Sequence, residues 1–262
     1  TANEISQQLG VEAVINYQSL IGKVDAVSVA VPTVLHHQVS KAFLEAGTHV
    51  LVEKPMTKTL KEARELIAIA KKQDVILQVG HLERFNAARL ALDEYLHNPK
   101  FIESQRLAPF NPRGTDVNVV LDLMIHDIDI IQNIVQSPIV NIDAQGAPIL
   151  SKSTDIANAR IKFANHCVAN VTASRISFKT ERKMRLFQSN SYISIDFHNK
   201  KFAVFNRGDK EMFPGIPDIQ RYESVFEKSD ALMLQAQAFV DAILNKRPPL
   251  VTGEEGYHAL ET

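Results

Sequence analysis

Residues 50–57 read Val50-Leu51-Val52-Glu53-Lys54-Pro55-Met56-Thr57, and the fold turns on how this stretch is read. Three apolar, strand-forming residues run straight into Glu53-Lys54-Pro55. The run is short and follows a helical pattern, which predicts a buried parallel strand. Pro55 cannot extend a sheet ladder, so the strand ends there. Lys54 then stands at the C-terminal end of a parallel strand, the edge at which open α/β sheets bind ligands. A lysine at that edge, beside a glutamate, is a candidate for chemistry. The plainer alternative is a surface lysine at a strand end.

Strands and helices alternate on both sides of this stretch. A strand is predicted at 25–31, closed by Pro32, and a helix at 39–46, stopped by Gly47. The strand at 49–53 follows. A helix at 60–72 carries Thr59 and Glu62 as a capping box. Its residues Leu60, Ala63, Leu66, Ile67 and Ala70 recur at helical spacing. A strand at 75–79 ends at Gly80. Such alternation with short connections predicts a parallel, right-handed βαβ sheet.

The second half has another pattern. A helix near 87–96, a strand at 102–107 and a helix at 119–135 lead into strands at 156–163, 166–174, 184–189 and 192–197. Short polar turns such as Ala164-Asn165 and Asn190-Ser191 separate them, which predicts an antiparallel meander. Helices at 230–245 and from 254 onward close the chain. The expected boundary lies near residue 103, giving domains 1–103 and 104–262. No internal repeat or low-complexity linker interrupts them.

Composition narrows the function classes. A chain of 262 residues, 45% hydrophobic and 23% charged, is an ordinary globular protein with room for two domains. A net charge of −1 offers no footprint for nucleic acid or an anionic membrane. The lone Cys167 excludes an internal disulfide and reads as a small buried hydrophobe. No apolar run approaches the roughly 20 residues of a membrane span, and no signal peptide opens the chain. A cytoplasmic location is expected. The chain begins with Thr1 rather than Met, within a helix-like segment, so a preceding segment is expected.

The helix at 119–135 carries the second informative cluster. Leu121, Leu123, Met124, Ile125, Ile128, Ile130 and Ile131 make it apolar almost all round, as in a buried helix. Asp122, His126 and Asp129 interrupt it at spacings of four and three, which stack the three on one face of a regular helix. Buried ionisable groups are costly unless paired or functional. A carboxylate one turn from an imidazole orients it and raises its basicity, as a general base needs. The alternative is a satisfied buried network that holds the helix in place. A metal site built on His126-Asp127 needs further histidines on neighbouring helices, and His97, His166 and His198 do not lie in such segments; no metal is expected.

Taken in order, Pro32-x-x-x-His36, Ala46-Gly47-Thr48-His49-Val50 into Glu53-Lys54-Pro55, and Asp122-x-x-x-His126-x-x-Asp129 resemble the glucose–fructose oxidoreductase/inositol dehydrogenase family, Gfo/Idh/MocA. Phe239-Val240-x-Ala242-Ile243, Pro249 and Gly253-Glu254-Glu255-Gly256 are similar to its C-terminal pattern. The match runs from about residue 10 to the end. The resemblance implies a Rossmann domain followed by an α/β domain with a large, mainly antiparallel open sheet, and NAD or NADP as cofactor, NAD favoured. It makes Lys54 the lysine near the nicotinamide and the reacting hydroxyl, His126 the acid/base, and Asp122 its partner. Pro32 and His36 match the loop running under the cofactor, and Glu53 joins Lys54 in the cofactor-binding motif. Thr33 stands where the family often has Asn.

One family feature does not occur. The family opens with a strand, a glycine-rich turn and a helix, and no Gly-x-Gly is present in this sequence. The expectation is therefore that the first βαβ, with its pyrophosphate site at a helix N-terminus, is missing from the chain as given. The piece alone is then expected to bind dinucleotide poorly.

The segments 78–86 and 114–129 resemble the nucleotide-sugar branch, which oxidises C3 of UDP-N-acetylglucosamine to a keto sugar that is then aminated for lipid A. Arg84, just past a strand end, and Arg113, before the buried helix, are candidates to meet substrate phosphate; the alternative for each is a solvated arginine or an internal ion pair. A non-catalytic sugar- or dinucleotide-binding regulator of the same fold is the rival class, and the retained Lys54, Asp122 and His126 argue against it. The open sheet of the second half needs a cover, so a homodimer or homotetramer is expected.

Overall fold

The computed structural model describes residues 2–111, 117–226 and 229–262. The chain divides into two compact units. One runs up to Gly80 and takes back Ala238–Tyr257; the other is His81–Gln237 with His258–Thr262. The boundary expected near residue 103 thus falls earlier, at Gly80, and the first unit is discontinuous. The sequence reading placed it by the change from parallel to antiparallel patterning. The chain leaves the first sheet as soon as its last strand ends.

The first unit opens with α1 (Ala2–Leu9) and holds a parallel sheet of β1 (Ala26–Val29), β2 (His49–Glu53) and β3 (Leu77–Gly80), in the order β1-β2-β3. Two helices connect the strands: α2 (Thr33–Glu45) and α3 (Leu60–Gln73). Val50 and Val52 are fully buried, as the apolar run at 50–52 predicts. The α3 capping box forms as expected: Glu62 N donates to Thr59 Oγ1, and Thr59 N donates to Glu62 Oε2. Such a cap contributes about 1 kcal/mol. Helix α2 begins six residues before its predicted start, directly after Pro32. Proline fixes the φ of a helix-leading residue, so Pro32 closes the strand and opens the helix together.

The second unit is built on eight strands in the order β11-β10-β9-β8-β4-β7-β6-β5. These are β4 (Phe101–Leu107), β5 (Ile139–Ala147), β6 (Ile156–Phe163), β7 (Val168–Ser174), β8 (Glu181–Phe187), β9 (Ser191–Asp196), β10 (Lys201–Phe213) and β11 (Ile216–Val225). Two antiparallel blocks flank β4, which pairs parallel with β7 and antiparallel with β8. The sheet is therefore mixed, and the expected meander is split by an inserted strand. Before it, α4 (Ala87–Leu90) and a 3₁₀ turn at Ala91–Glu94 replace the single helix predicted at 87–96.

The predicted helix at 119–135 forms in two parts: a π-helical turn, Val120–Met124, and then α5 (Ile125–Val135). Ile128, Ile130, Ile131 and Ile134 pack into one apolar core with Ala169 and Val171 of β7, Met184 and Leu186 of β8, and Ile193 and Ile195 of β9. Cys167 lies in the same core, where burial pushes its thiol up to about 11. It is the inert hydrophobe expected.

Two late helices complete the chain: α6 (Ala231–Leu244) and α7 (Gly253–Glu261). Thr252 and Glu255 cap α7 reciprocally: Thr252 N donates to Glu255 Oε2 and Glu255 N to Thr252 Oγ1. The first turn of α7 lies against β3. A Cβ on Gly256 would come within 2.5 Å of Val79 Cγ2, and one on Gly253 within 3.0 Å of Ile67. These glycines of the C-terminal motif are there for close packing. Gly256→Ala should lower stability by about 1–3 kcal/mol through overpacking, read as a fall in the thermal midpoint; an unchanged midpoint would contradict this packing.

Candidate active site

In the first unit the motif residues converge on the C-terminal edge of the parallel strands. Lys54 is half-buried and follows β2 directly, as the sequence predicts. His36, on the first turns of α2, is buried and bridges two loops. Its Nδ1 lies 2.8 Å from the Pro55 carbonyl oxygen and its Nε2 2.8 Å from that of Val31. The Val31-Pro32 loop is thereby tied to the Lys54–Pro55 segment, whose peptide bond is cis. His36 holds the floor of the edge together, while Pro32 itself is exposed. Burial pushes the Glu53 carboxyl up, against the lowering effect of the Lys54 backbone N–H and charge. Across the edge, a Cβ on Gly80 would sit 3.1 Å from Glu53 Cα, so the glycine that ends β3 lets the two strand ends approach.

This edge fits the nicotinamide half of a dinucleotide. It is the ligand edge of a parallel sheet, it carries a lysine, and the N-terminus of α2 opens there with no side-chain cap on Pro32.

In the second unit the helix cluster separates into distinct parts. Asp122 lies in the π turn and His126 on the first turn of α5, both half-buried. The Ile125 amide reaches back to the Val120 carbonyl, the i→i+5 pattern of a π bulge. The reading of Asp122, His126 and Asp129 as one face assumed regular α-helical spacing, and the structure departs from it. Asp129 is 2% exposed and accepts the Arg84 Nε at 2.8 Å. Arg84 is itself buried. The expectation that Arg84 meets substrate phosphate therefore gives way to its alternative, an internal ion pair. Arg113 lies outside the described residues.

Sequence reading missed the groups that fix α5. Asp127 receives a bidentate pair from Arg106, Nε to Oδ2 at 2.9 Å and Nη2 to Oδ1 at 3.1 Å. Arg106 Nη1 also donates to Glu83 Oε1 at 2.9 Å. All three side chains are buried. Burial alone would lower the Arg106 pKa, but Asp127 and Glu83 outweigh it and raise it. The available signal was Arg106 itself, an inward position on a strand whose even-numbered neighbours Ile102 and Ser104 are buried. His81, fully buried, meets His126 edge to face. Among the described residues no cluster of His, Cys, Asp and Glu suited to a metal occurs, and no helix is long and apolar enough to cross a membrane.

The first unit is thus a parallel sheet with a lysine at its ligand edge, and the second is an α/β unit with a carboxylate in a π turn and an imidazole on the helix that follows. The chain belongs to the GFO/IDH/MocA family: residues 1–81 match the oxidoreductase family's NAD-binding Rossmann fold, and residues 80–194 match the GFO/IDH/MocA C-terminal domain. It is 35% identical over 264 residues to the UDP-N-acetylglucosamine 3-dehydrogenase of Acidithiobacillus ferrooxidans, covering 99% of this chain and 83% of that protein. A crystal structure of the same enzyme matches with a TM-score of 0.92 over 99% of this chain and 83% of its own. The scyllo-inositol 2-dehydrogenase (NAD(+)) of Bacillus subtilis is 26% identical over 271 residues, covering 96% of this chain and 78% of its own.

Proposed function

We propose that the protein oxidises the C3 hydroxyl of UDP-N-acetylglucosamine with NAD, giving a 3-keto nucleotide sugar for amination in lipid A synthesis. The observation that carries this reading is the 35% identity over 99% of the chain to a UDP-N-acetylglucosamine 3-dehydrogenase. The motif residues Lys54, Asp122 and His126 support it. His126 is the base that takes the hydroxyl proton. Lys54 is the cation that favours the alkoxide as it develops. Asp122 orients the imidazole, and the π turn between them sets its facing. Pro32, His36 and Glu53 shape the edge that holds the nicotinamide end. When bound, the dinucleotide supplies the redox chemistry by accepting the hydride; the chain supplies geometry and charge. Purified full-length enzyme with NAD should produce NADH from UDP-N-acetylglucosamine and little from free sugars or inositols. Oxidation of free sugars or inositols alone would leave the family assignment standing and remove the substrate.

The proposal includes a cytoplasmic location and a homo-oligomer built on the large sheet. One face of β7 is core; the other, with Asn170 and Thr172, is half-exposed. That outer face also carries Glu103, Lys183 and Arg185, with Arg185 and Glu103 paired at 3.1 Å, so it is more charged than alternation along β7 alone suggests. A second copy covering it would meet polar ladders rather than an apolar patch. Light scattering on dilute full-length protein should give a dimer or tetramer mass; a clean monomer at micromolar concentration refutes assembly.

A further inference from the structure

Beside His126 stands a second histidine that the proposed chemistry does not use. His81 directly follows β3 and is 1% exposed. Its ring meets the His126 ring at 89°, with centroids 6.5 Å apart. Aromatic pairs favour this edge-to-face arrangement at centroid separations of roughly 4.5–7 Å. On its other side, His81 Nδ1 lies 3.9 Å from Asp129 Oδ2, the same oxygen that accepts Arg84 Nε at 2.8 Å. A separation of 3.9 Å is too long for a hydrogen bond. At that separation the buried carboxylate faces His81 as a nearby charge.

Each part of this arrangement has a physical consequence. Asp129 sits on α5, three residues beyond His126, and Arg84 follows His81 by three. The Arg84–Asp129 pair thus ties the turn that carries His81 to the helix that carries His126. The connection fixes the distance between the rings through two short, rigid segments. His126 is only half-buried. The edge of His81 packs against one side of its ring, alongside the orienting role proposed for Asp122.

We propose that His81 is a positioning residue: together with Asp122 it sets the ring plane of His126, and Arg84 and Asp129 hold His81 in place for that task. The proposal rests on the reading of His126 as the base. It assigns His81 a role in orientation, with no proton passed and no contact with substrate. A base held out of its productive geometry loses rate steeply; a shift of about 1 Å can cost on the order of 100-fold.

Steady-state kinetics on the folded full-length enzyme separates the possibilities. His81→Ala should lower kcat by about 10- to 100-fold while KM for the sugar nucleotide and for NAD stays within about 3-fold. His81→Phe, which keeps the aromatic edge and discards the nitrogens, should restore kcat to within about 5-fold of wild type. In a His126→Ala background, His81→Ala should add no further loss of turnover, since there is no ring left to orient. If His81→Ala fails to fold, His81→Leu against His81→Phe gives the same comparison at similar volume. The proposal is overturned by wild-type kcat in a folded His81→Ala or His81→Leu variant, by a folded His81→Phe variant that is no better than these, or by losses that multiply in the His126→Ala background. Wild-type turnover in His126→Ala alone would instead sink the base assignment, so the two failures are distinguishable.

Discussion

Replacing His126 or Lys54 with alanine should lower turnover by at least about 100-fold in the full-length enzyme, the scale on which a positioned acid/base group acts. Under the proposed roles the two losses arise differently. Without His126 the hydroxyl proton has no built-in acceptor, so raising the pH restores part of the rate as the substrate ionises unaided. Without Lys54 the developing alkoxide loses its cation, and pH gives no such recovery. Lys54→Arg keeps charge but spreads it over a planar group of different reach, so it should recover only part of the rate. Near-wild-type turnover in either alanine variant removes the role assigned to that residue.

The second large effect is on stability. Arg106→Ala leaves two carboxylates, Asp127 and Glu83, buried and without the guanidinium that both accept from. Breaking a buried pair by removing one partner typically costs about 3–5 kcal/mol. The loss should appear as a lower urea midpoint with an unchanged slope. Replacing Asp127 with asparagine removes one charge from the same network and should cost less, because Glu83 still pairs with Arg106. A loss below about 1 kcal/mol for Arg106→Ala would mean that the network adds nothing to the fold beyond filling space.

The first unit was readable because its signals are local. Val50-Leu51-Val52 ends at a proline, and Thr59 with Glu62 fixes a helix start; the structure has both. The capping box at Thr252 and Glu255 obeys the same rule and was passed over. Nothing is predicted over the β10–β11 hairpin, where residues 206–211, Asn-Arg-Gly-Asp-Lys-Glu, carry no apolar alternation. Its strands pair over most of their length with register shifts near Arg207 and Glu211, and pairing with a neighbour is invisible in alternation alone. Its sign was Pro214-Gly215, a turn dipeptide with Gly215 at φ +77. Strand β5 was missed because its residues are exposed almost throughout, so no buried period marks it. In the site, Lys54 and His126 stood out by residue type and spacing. The partners of Asp127 and Asp129 did not, since Arg106 and Arg84 lie 21 and 45 residues away in sequence. Charge pairing across that distance is a property of the fold.

Which bond the enzyme breaks tests the proposed reaction most directly. UDP-N-acetylglucosamine carrying deuterium at C3, incubated with the full-length enzyme and NAD, should yield NADH that holds the deuterium and a sugar product with none at C3. Deuterium that stays at C3 while NADH forms would contradict the account, because oxidation would then be occurring at another carbon.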